Sequence, residues 1–232
     1  MLARDVMTSP PITVTPDTPV AEIATVLLEN RISAVPVLEA DGGMIGIVSE
    51  SDLLRRADAQ TERPRPQWLE LLLDRNVTAA DFVKTHGNLA RDVMTRNVVT
   101  VGPDTELSDI ASLLERRRIK RVPVVDHGKL IGIVSRANLL HGLVAHPRVA
   151  LPEEVQARDA EIRNRLHEVL RAVPGVDLRR INTVVKDGAV FLWGAVKSDN
   201  QRRALTVAAE SVPGVVRVED NLHYDRFPGS AG

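Results

Sequence analysis

The chain has 232 residues, enough for one large or two small domains. The charges of its 30 basic and 31 acidic side chains nearly cancel, which gives no electrostatic support for a nucleic-acid or anionic-membrane partner. It has no cysteine, which excludes disulfides, thiolate chemistry and cysteine-based zinc sites. Because the first residues, MLARDVMTSPPITV, contain no apolar signal segment and no run of about 18 apolar residues exists, we expect a cytoplasmic protein without a membrane span.

The heptapeptide LARDVMT occurs at residues 2–8 and again at residues 89–95. The similarity continues to SESDLL at 49–54 in the first copy and to SRANLL at 135–140 in the second. The copies align with one residue deleted at a turn, so a whole supersecondary unit is duplicated.

Each copy begins with a short extended segment, ITV or VTV, and continues with PDT, which predicts a turn and the start of a helix. We expect Thr18 to be the N-cap and Pro19 to take the first helical position. Apolar residues then recur on one helical face: Val20, Ile23, Ala24 and Leu27 in the first copy, and Leu107, Ile110, Ala111 and Leu114 in the second.

The rest of each copy predicts a hairpin, formed by AVPVL and MIGIVS or by RVPVV and LIGIVS, and a short helix capped by Ser49 or Ser135. The order is therefore β-α-β-β-α. One such copy is too small to bury both faces of its sheet. We expect two copies to pack as a pseudo-twofold pair.

The last third of the chain predicts two further helices, each followed by PGV and a strand. In the first helix, Ile162, Leu166, Val169 and Leu170 share a face. KDG, inside the apolar run INTVVKDGAVFLWGAV, is typical of a hairpin turn.

Each repeat resembles the cystathionine-β-synthase (CBS) domain, through the motifs MT…TV…P, R-I-x-x-V-P-V and G-I-V-S-x-S-D-L-L. The tandem occurrence of the two repeats resembles a Bateman module. The resemblance implies a regulatory fold without chemistry of its own. It also implies that an adenine nucleotide (AMP, ADP, ATP, NAD or S-adenosylmethionine) binds in clefts between the copies, and that the chain forms a homodimer through its helices.

The last third of the chain resembles the BON domain, a small α/β domain that binds phospholipid or other hydrophobic partners. The resemblance is carried by Gly188, LWGAV with Gly194, VPGV at 212–215 and VEDNL with Asn221. The two glycines also have a purely structural interpretation, as turn and close-packing residues.

The resulting fold class is α/β (α+β), with two CBS repeats and a BON domain. We expect these boundaries: 1–60 first CBS domain, 61–87 helical insert containing QWLELLL, 88–146 second CBS domain, 147–154 linker, 155–226 BON domain and 227–232 tail.

GIVSESD places a hydroxyl and a carboxylate at the start of a helix. The resemblance implies that Asp52 binds a ribose diol, with Ser49 and Ser51 beside it, whereas the alternative is a simple capping pair of Ser49 and Asp52. The second copy has Ser135 and Asn138 in GIVSRAN, and an amide is a weaker diol acceptor than a carboxylate.

The resemblance further implies that the other copy completes each cleft. For the Asp52 cleft we expect Thr95, Thr100, Ile119, Lys120 and Arg121; for the Asn138 cleft we expect Thr8, Thr13, Ile32, Ser33 and Ala34. Lys120 and Arg121 are candidates for phosphate binding. The preceding Arg116, Arg117 and Arg118 are better interpreted as the end of a helix, and a nucleic-acid surface is not expected.

Histidines 86, 127, 141, 146, 167 and 223 show no ligand spacing, and a surface role is expected for each. With no phosphate loop and no nucleophile elbow, we expect no catalytic residue, no metal and no catalytic cofactor. The sequence therefore favours a regulatory adenine-nucleotide sensor that signals to a partner through its BON domain. The alternatives are a non-sensing dimeric scaffold whose BON domain binds a protein or phospholipid partner, and an enzyme acting on the nucleotide.

Overall fold

Short helices and small sheets alternate along residues 1–54, 87–145 and 153–225, the part of the chain that the computed structural model describes. The elements in chain order are α1 (Ala3–Val6), α2 (Val20–Glu29), β1 (Ala34–Leu38), β2 (Met44–Ser49), α3 (Glu50–Leu54), α4 (Ala90–Val93), α5 (Leu107–Arg116), β3 (Arg121–Asp126), β4 (Lys129–Ser135), α6 (Arg136–Ala145), α7 (Glu153–Arg171), a 3-10 turn (Leu178–Arg180), β5 (Ile181–Lys186), β6 (Ala189–Val196), α8 (Asp199–Glu210) and β7 (Arg217–Tyr224). The predicted QWLELLL insert and the tail 227–232 lie outside the described residues.

The chain divides into two compact units that exchange their first segments. The first-repeat unit contains Ile12–Val99 and His127–Leu130, so it includes the second LARDVMT copy. The second-repeat unit contains Met1–Pro11, Thr100–Asp126 and Ile131–Gly232, so it includes the first copy and the C-terminal domain. Each heptapeptide therefore packs with the hairpin of the other repeat.

The repeated heptapeptide has the same structural role in both units. Its aspartate caps a four-residue helix, because the Leu2 N–H donates to Asp5 at 2.8 Å and the Leu89 N–H donates to Asp92 at 3.1 Å. Its alanine and valine are buried in both copies. Its methionine lies over a glycine: a Cβ atom on Gly132 would come within 2.5 Å of the Met7 sulfur. Packing and capping thus explain the repeated alanine, aspartate, valine and methionine.

The mixed α+β fold class is confirmed, although the predicted first strand of each repeat is only a single bridge. Val14 pairs with Val37, and Val101 pairs with Val124, both in parallel. Prolines stand on both sides of the first segment and after the second, and a proline has no N–H to extend a ladder. The predicted hairpin of the first repeat is present as β1–β2, with Ala34 opposite Ser49.

The predicted start of α2 is wrong by one residue. Pro19 is the N-cap and Val20 is the first helical residue, whereas the Thr18 Oγ1 accepts a hydrogen bond from the Thr15 N–H at 3.0 Å. Ser49 and Ser135 stand immediately before α3 and α6, as predicted. The helix faces predicted for α2 and α5 are buried at their central residues, although Ala111 is exposed.

The C-terminal domain is a three-stranded sheet with two helices. β5 pairs with β6 antiparallel, and β6 pairs with β7 parallel across the α8 connection. The predicted KDG turn is present, with positive φ angles at Asp187 and Gly188. Asp159 of α7 clamps this turn, because its two carboxylate oxygens accept from the N–H groups of Asp187 and Gly188 at 2.8 and 2.9 Å.

The helices and sheet of the C-terminal domain enclose one aliphatic core, which includes Ile162, Leu166, Leu192 and Leu205. The helix α7 begins at Glu153, inside the range predicted as a linker. None of the helices in the described ranges combines the length and the apolarity that crossing a membrane requires.

Candidate ligand sites

Asp52 lies at the start of α3, directly after β2, and is only 7% exposed. Its Oδ2 accepts hydrogen bonds from the Ser49 N–H at 2.9 Å and the Ser49 hydroxyl at 2.6 Å. The Ser51 hydroxyl lies 3.0 Å from that of Ser49. This geometry is the capping pair considered above, and it also places a carboxylate among hydroxyl groups at a helix N-terminus.

The exchanged segment brings Thr95 to Asp52. Thr95 forms a bridge with Ile47, with backbone hydrogen bonds of 3.0 and 2.9 Å, and its hydroxyl lies 3.5 Å from the Asp52 Oδ1. The close approach of the segment Met94–Thr95 to β2 depends on Gly46, because a Cβ atom there would come within 2.5 Å of the Met94 sulfur and 3.1 Å of the Thr95 carbonyl oxygen. One predicted neighbour from the other repeat therefore lies at Asp52.

The strand beside each helix start comes from the same repeat. The Glu50 N–H donates to the Ser33 carbonyl at 3.0 Å, so Ile32, Ser33 and Ala34 accompany Asp52 in the first-repeat unit. The Arg136 N–H likewise donates to the Lys120 carbonyl at 3.2 Å, so Ile119, Lys120 and Arg121 accompany Asn138. The sequence analysis assigns each strand to the cleft of the other repeat, and that assignment stays a prediction; within its own unit, each strand lies beside the helix start of its own repeat. The hairpin of each repeat, β1–β2 or β3–β4, joins that strand to the strand that ends in the serine of the same repeat.

Asn138 is 4% exposed and uses its whole amide group in protein contacts. Its Oδ1 accepts from the Ser135 N–H at 2.8 Å and hydroxyl at 2.6 Å. Its Nδ2 donates to the Val6 carbonyl at 3.0 Å and to the Thr8 hydroxyl at 3.3 Å. Thr8, which forms a bridge with Ile133, is the counterpart of Thr95.

The remaining predicted site residues differ in exposure. Thr13 and Thr100 are exposed and lie just before the bridge residues of the two repeats. Lys120 is exposed, and Arg121 is partly buried. Arg116 is the last residue of α5, Arg117 is its C-cap and Arg118 follows; all three are exposed, which agrees with their interpretation as a helix terminus.

A uniform surface role for the histidines is wrong for His141 and His167. The pKa of His141 is lowered from 6.5, chiefly by burial and against the effect of its hydrogen bond to Asn182. The pKa of His167 is lowered by burial and then by the positive charges of Arg163 and Arg171. His127 and His223 are exposed, and histidines 86 and 146 lie outside the described residues. Within the described ranges, three or more metal-ligating side chains never gather in one place.

The contacts between the C-terminal domain and the second repeat are not among the predictions made from the sequence. Asn182 of β5 donates to the Val6 carbonyl at 2.8 Å, and its Oδ1 lies 2.8 Å from the His141 Nδ1. The His141 ring stacks on Trp193 with centroids 4.3 Å apart. Val184 is fully buried in the core of the second repeat, and Arg163 pairs with Asp5. All five residues of INTVV are buried, so β5 is covered on both faces.

Comparison with known proteins identifies the same two modules. The family described as CBS domain matches residues 3–59 and 90–145, and the family described as BON domain matches residues 158–226. An uncharacterized protein of Methanocaldococcus jannaschii is 37% identical over 155 residues, which cover 62% of this chain and 92% of that protein.

Two plant proteins share the tandem repeat. The chloroplastic CBS domain-containing protein CBSX1 of Arabidopsis thaliana is 36% identical over 133 residues, 55% of this chain and 56% of its own length. The chain thus matches little more than half of that relative. The crystal structure of CBSX2 in complex with AMP superposes with a TM-score of 0.54 at 31% identity, covering 63% of this chain and 99% of that chain.

Proposed function

Because this chain belongs to the CBS-domain family and carries a BON domain after its CBS pair, we propose that it is a regulatory protein that binds an adenine nucleotide at Asp52. The observation that carries the proposal is the buried Asp52 carboxylate at the start of α3, next to Ser49 and to Thr95 from the other repeat. A carboxylate accepts hydrogen bonds only, which suits the two hydroxyl groups of a ribose. The similar CBSX2 structure contains AMP, so AMP is the first ligand to test.

The nucleotide would act as a signal rather than as a substrate. This proposal assigns no catalytic residue, as the resemblance to a regulatory fold implies. Binding changes the protein only through a difference in affinity between two arrangements of the CBS pair. The BON domain would then pass that change to a protein or phospholipid partner.

We also propose that the chain forms a homodimer through its CBS helices. Leu140, Leu143 and Val144 of α6 are 61%, 70% and 71% exposed, and Leu28 of α2 is 78% exposed. Large aliphatic side chains grouped on the surface of one helix, as on α6, are typical of interaction sites. Sedimentation analysis should give a dimer that Leu143→Lys converts to a monomer.

Calorimetry on the full chain tests the sensor proposal. We expect AMP, ATP, NAD or S-adenosylmethionine to give a saturable heat, with AMP as the reference. A flat titration for all four at millimolar concentration would favour the non-sensing scaffold, whose function would depend on the BON domain alone. Recovery of unchanged nucleotide after long incubation distinguishes the sensor from an enzyme that consumes its ligand.

A further inference from the structure

The carbonyl oxygen of Val6 accepts hydrogen bonds from two asparagine side chains that belong to different domains. The Asn138 Nδ2 on α6 donates at 3.0 Å, and the Asn182 Nδ2 on β5 donates at 2.8 Å. Both hydrogen bonds are buried. A carbonyl oxygen has two lone pairs, so these two donors use its full acceptor capacity.

The surrounding contacts extend this junction along α6. Asn138 and His141 are three residues apart and therefore lie on the same side of the helix. Because the Asn182 amide nitrogen points to Val6, its oxygen faces the His141 Nδ1 at 2.8 Å, which makes that nitrogen the donor. The His141 ring then stacks on Trp193 with an angle of 3° between the ring planes.

We propose that Asn138 is a positioning residue that docks the BON domain on the second CBS repeat, and that it is not a ribose ligand. Its amide oxygen is held by Ser135 and its amide nitrogen orients the Val6 carbonyl toward Asn182. An aspartate has no N–H to give to Val6 and would place a second acceptor against that carbonyl. This requirement for a donor explains why the second repeat carries Asn138 where the first carries Asp52.

The inference gives the two repeats different tasks. The first repeat keeps the carboxylate, and the second repeat uses the equivalent position to hold a domain whose Val184 is buried in the core of that repeat. Each chain should therefore bind a single nucleotide, a consequence that rests on the proposed function. The docking itself does not depend on any ligand.

Docking is measured by hydrogen exchange of the β5 amides and by the emission of Trp193. The chain has two tryptophans, so Trp68→Phe leaves Trp193 as the only reporter. In that background, Asn138→Asp and Asn182→Ala should each increase β5 exchange about three- to tenfold, the change expected for one lost hydrogen bond. Both should shift the Trp193 emission to longer wavelength. Asn221→Ala, an exposed asparagine on β7 of the same sheet, is the matched control and should change neither.

Exchange in β1 and β2 of the first-repeat unit reports whether a variant is folded. If Asn138→Asp does not fold, Asn138→Ala removes the donor without adding a negative charge. Unchanged β5 exchange in both the Asn138 and the Asn182 variants would overturn the docking role.

Calorimetry separates this inference from the proposed function. Asn138→Ala should leave AMP affinity unchanged and Asp52→Ala should reduce it. A tenfold loss of affinity in Asn138→Ala with β5 protection intact would overturn the inference while leaving the sensor function standing. Absence of AMP binding in the unmodified chain, with β5 protection lost in both asparagine variants, would overturn the sensor function and support the docking role.

Discussion

Asp52 and Asn138 occupy the same position in the two CBS repeats, and each accepts hydrogen bonds from the N–H and the hydroxyl of the serine three residues before it. The two side chains differ in their other polar atom. The Asp52 Oδ1 lies 3.5 Å from the Thr95 hydroxyl, whereas the Asn138 Nδ2 donates to Val6 and Thr8. The replacement of one carboxylate oxygen by an amide nitrogen therefore separates a candidate ligand carboxylate from a structural anchor.

Asp52→Ala should weaken AMP binding by about 1–3 kcal/mol, the cost of losing a charged hydrogen-bond partner. Calorimetry on the full chain measures the effect. Asp41→Ala, at the exposed β1–β2 turn of the same repeat, is the control and should bind as the unmodified chain does. Equal affinity of the Asp52 variant and the parent would show that the site is assigned wrongly.

Asp159→Ala should destabilise the C-terminal domain by about 3 kcal/mol, because a buried and a partly buried N–H group of the β5–β6 turn lose their charged acceptor. Urea unfolding followed by circular dichroism measures this loss. On the same helix, Glu161→Ala breaks only an exposed pair with Arg165 and should cost less than about 0.5 kcal/mol. Similar costs for the two variants would contradict the clamp.

Gly194→Ala should cost about 3 kcal/mol or more, because φ is 137° and the new Cβ would come within 2.2 Å of the Arg180 carbonyl oxygen. Gly128 also has a positive φ, at 79°, but a Cβ added there meets no atom within 4 Å. Gly128→Ala should therefore lower the free energy of unfolding by only about 1–2 kcal/mol. Thermal unfolding of the two variants separates steric overlap from backbone strain. A Gly194 variant no less stable than the Gly128 variant contradicts the close approach.

The free energy of unfolding should decrease as the pH is lowered below 6.5, because burial lowers the pKa of His141 and His167 in the folded chain. Between the folded pKa values and 6.5, the unfolded chain binds more protons, so protonation favours unfolding. Urea titrations at several pH values above and below 6.5 should show this slope.

The double variant His141→Gln and His167→Gln should flatten that pH dependence. His127→Gln, at an exposed turn, is the control and should leave the slope unchanged. A steep slope that survives in the double variant would place the responsible protons elsewhere.

Local patterns were enough to predict the duplicated unit, the apolar helix faces, the first-repeat hairpin and the KDG turn. Each depends on residues that are close along the chain, since helix periodicity and turn chemistry act over a few positions. The prediction of Thr18 as an N-cap failed by one residue because Thr18 instead closes the turn that begins at Thr15.

Only the tertiary structure decided which side chains meet across the chain. The heptapeptides exchange units, so Thr95 reaches Asp52 and Thr8 reaches Asn138, and Asn182 reaches a carbonyl 176 residues away. Such pairings depend on which surfaces pack together, and no local pattern encodes a hydrogen-bond partner at that separation. The sequence alone determined two CBS repeats and a BON domain; three-dimensional packing decided that the second repeat holds the BON domain through Val6.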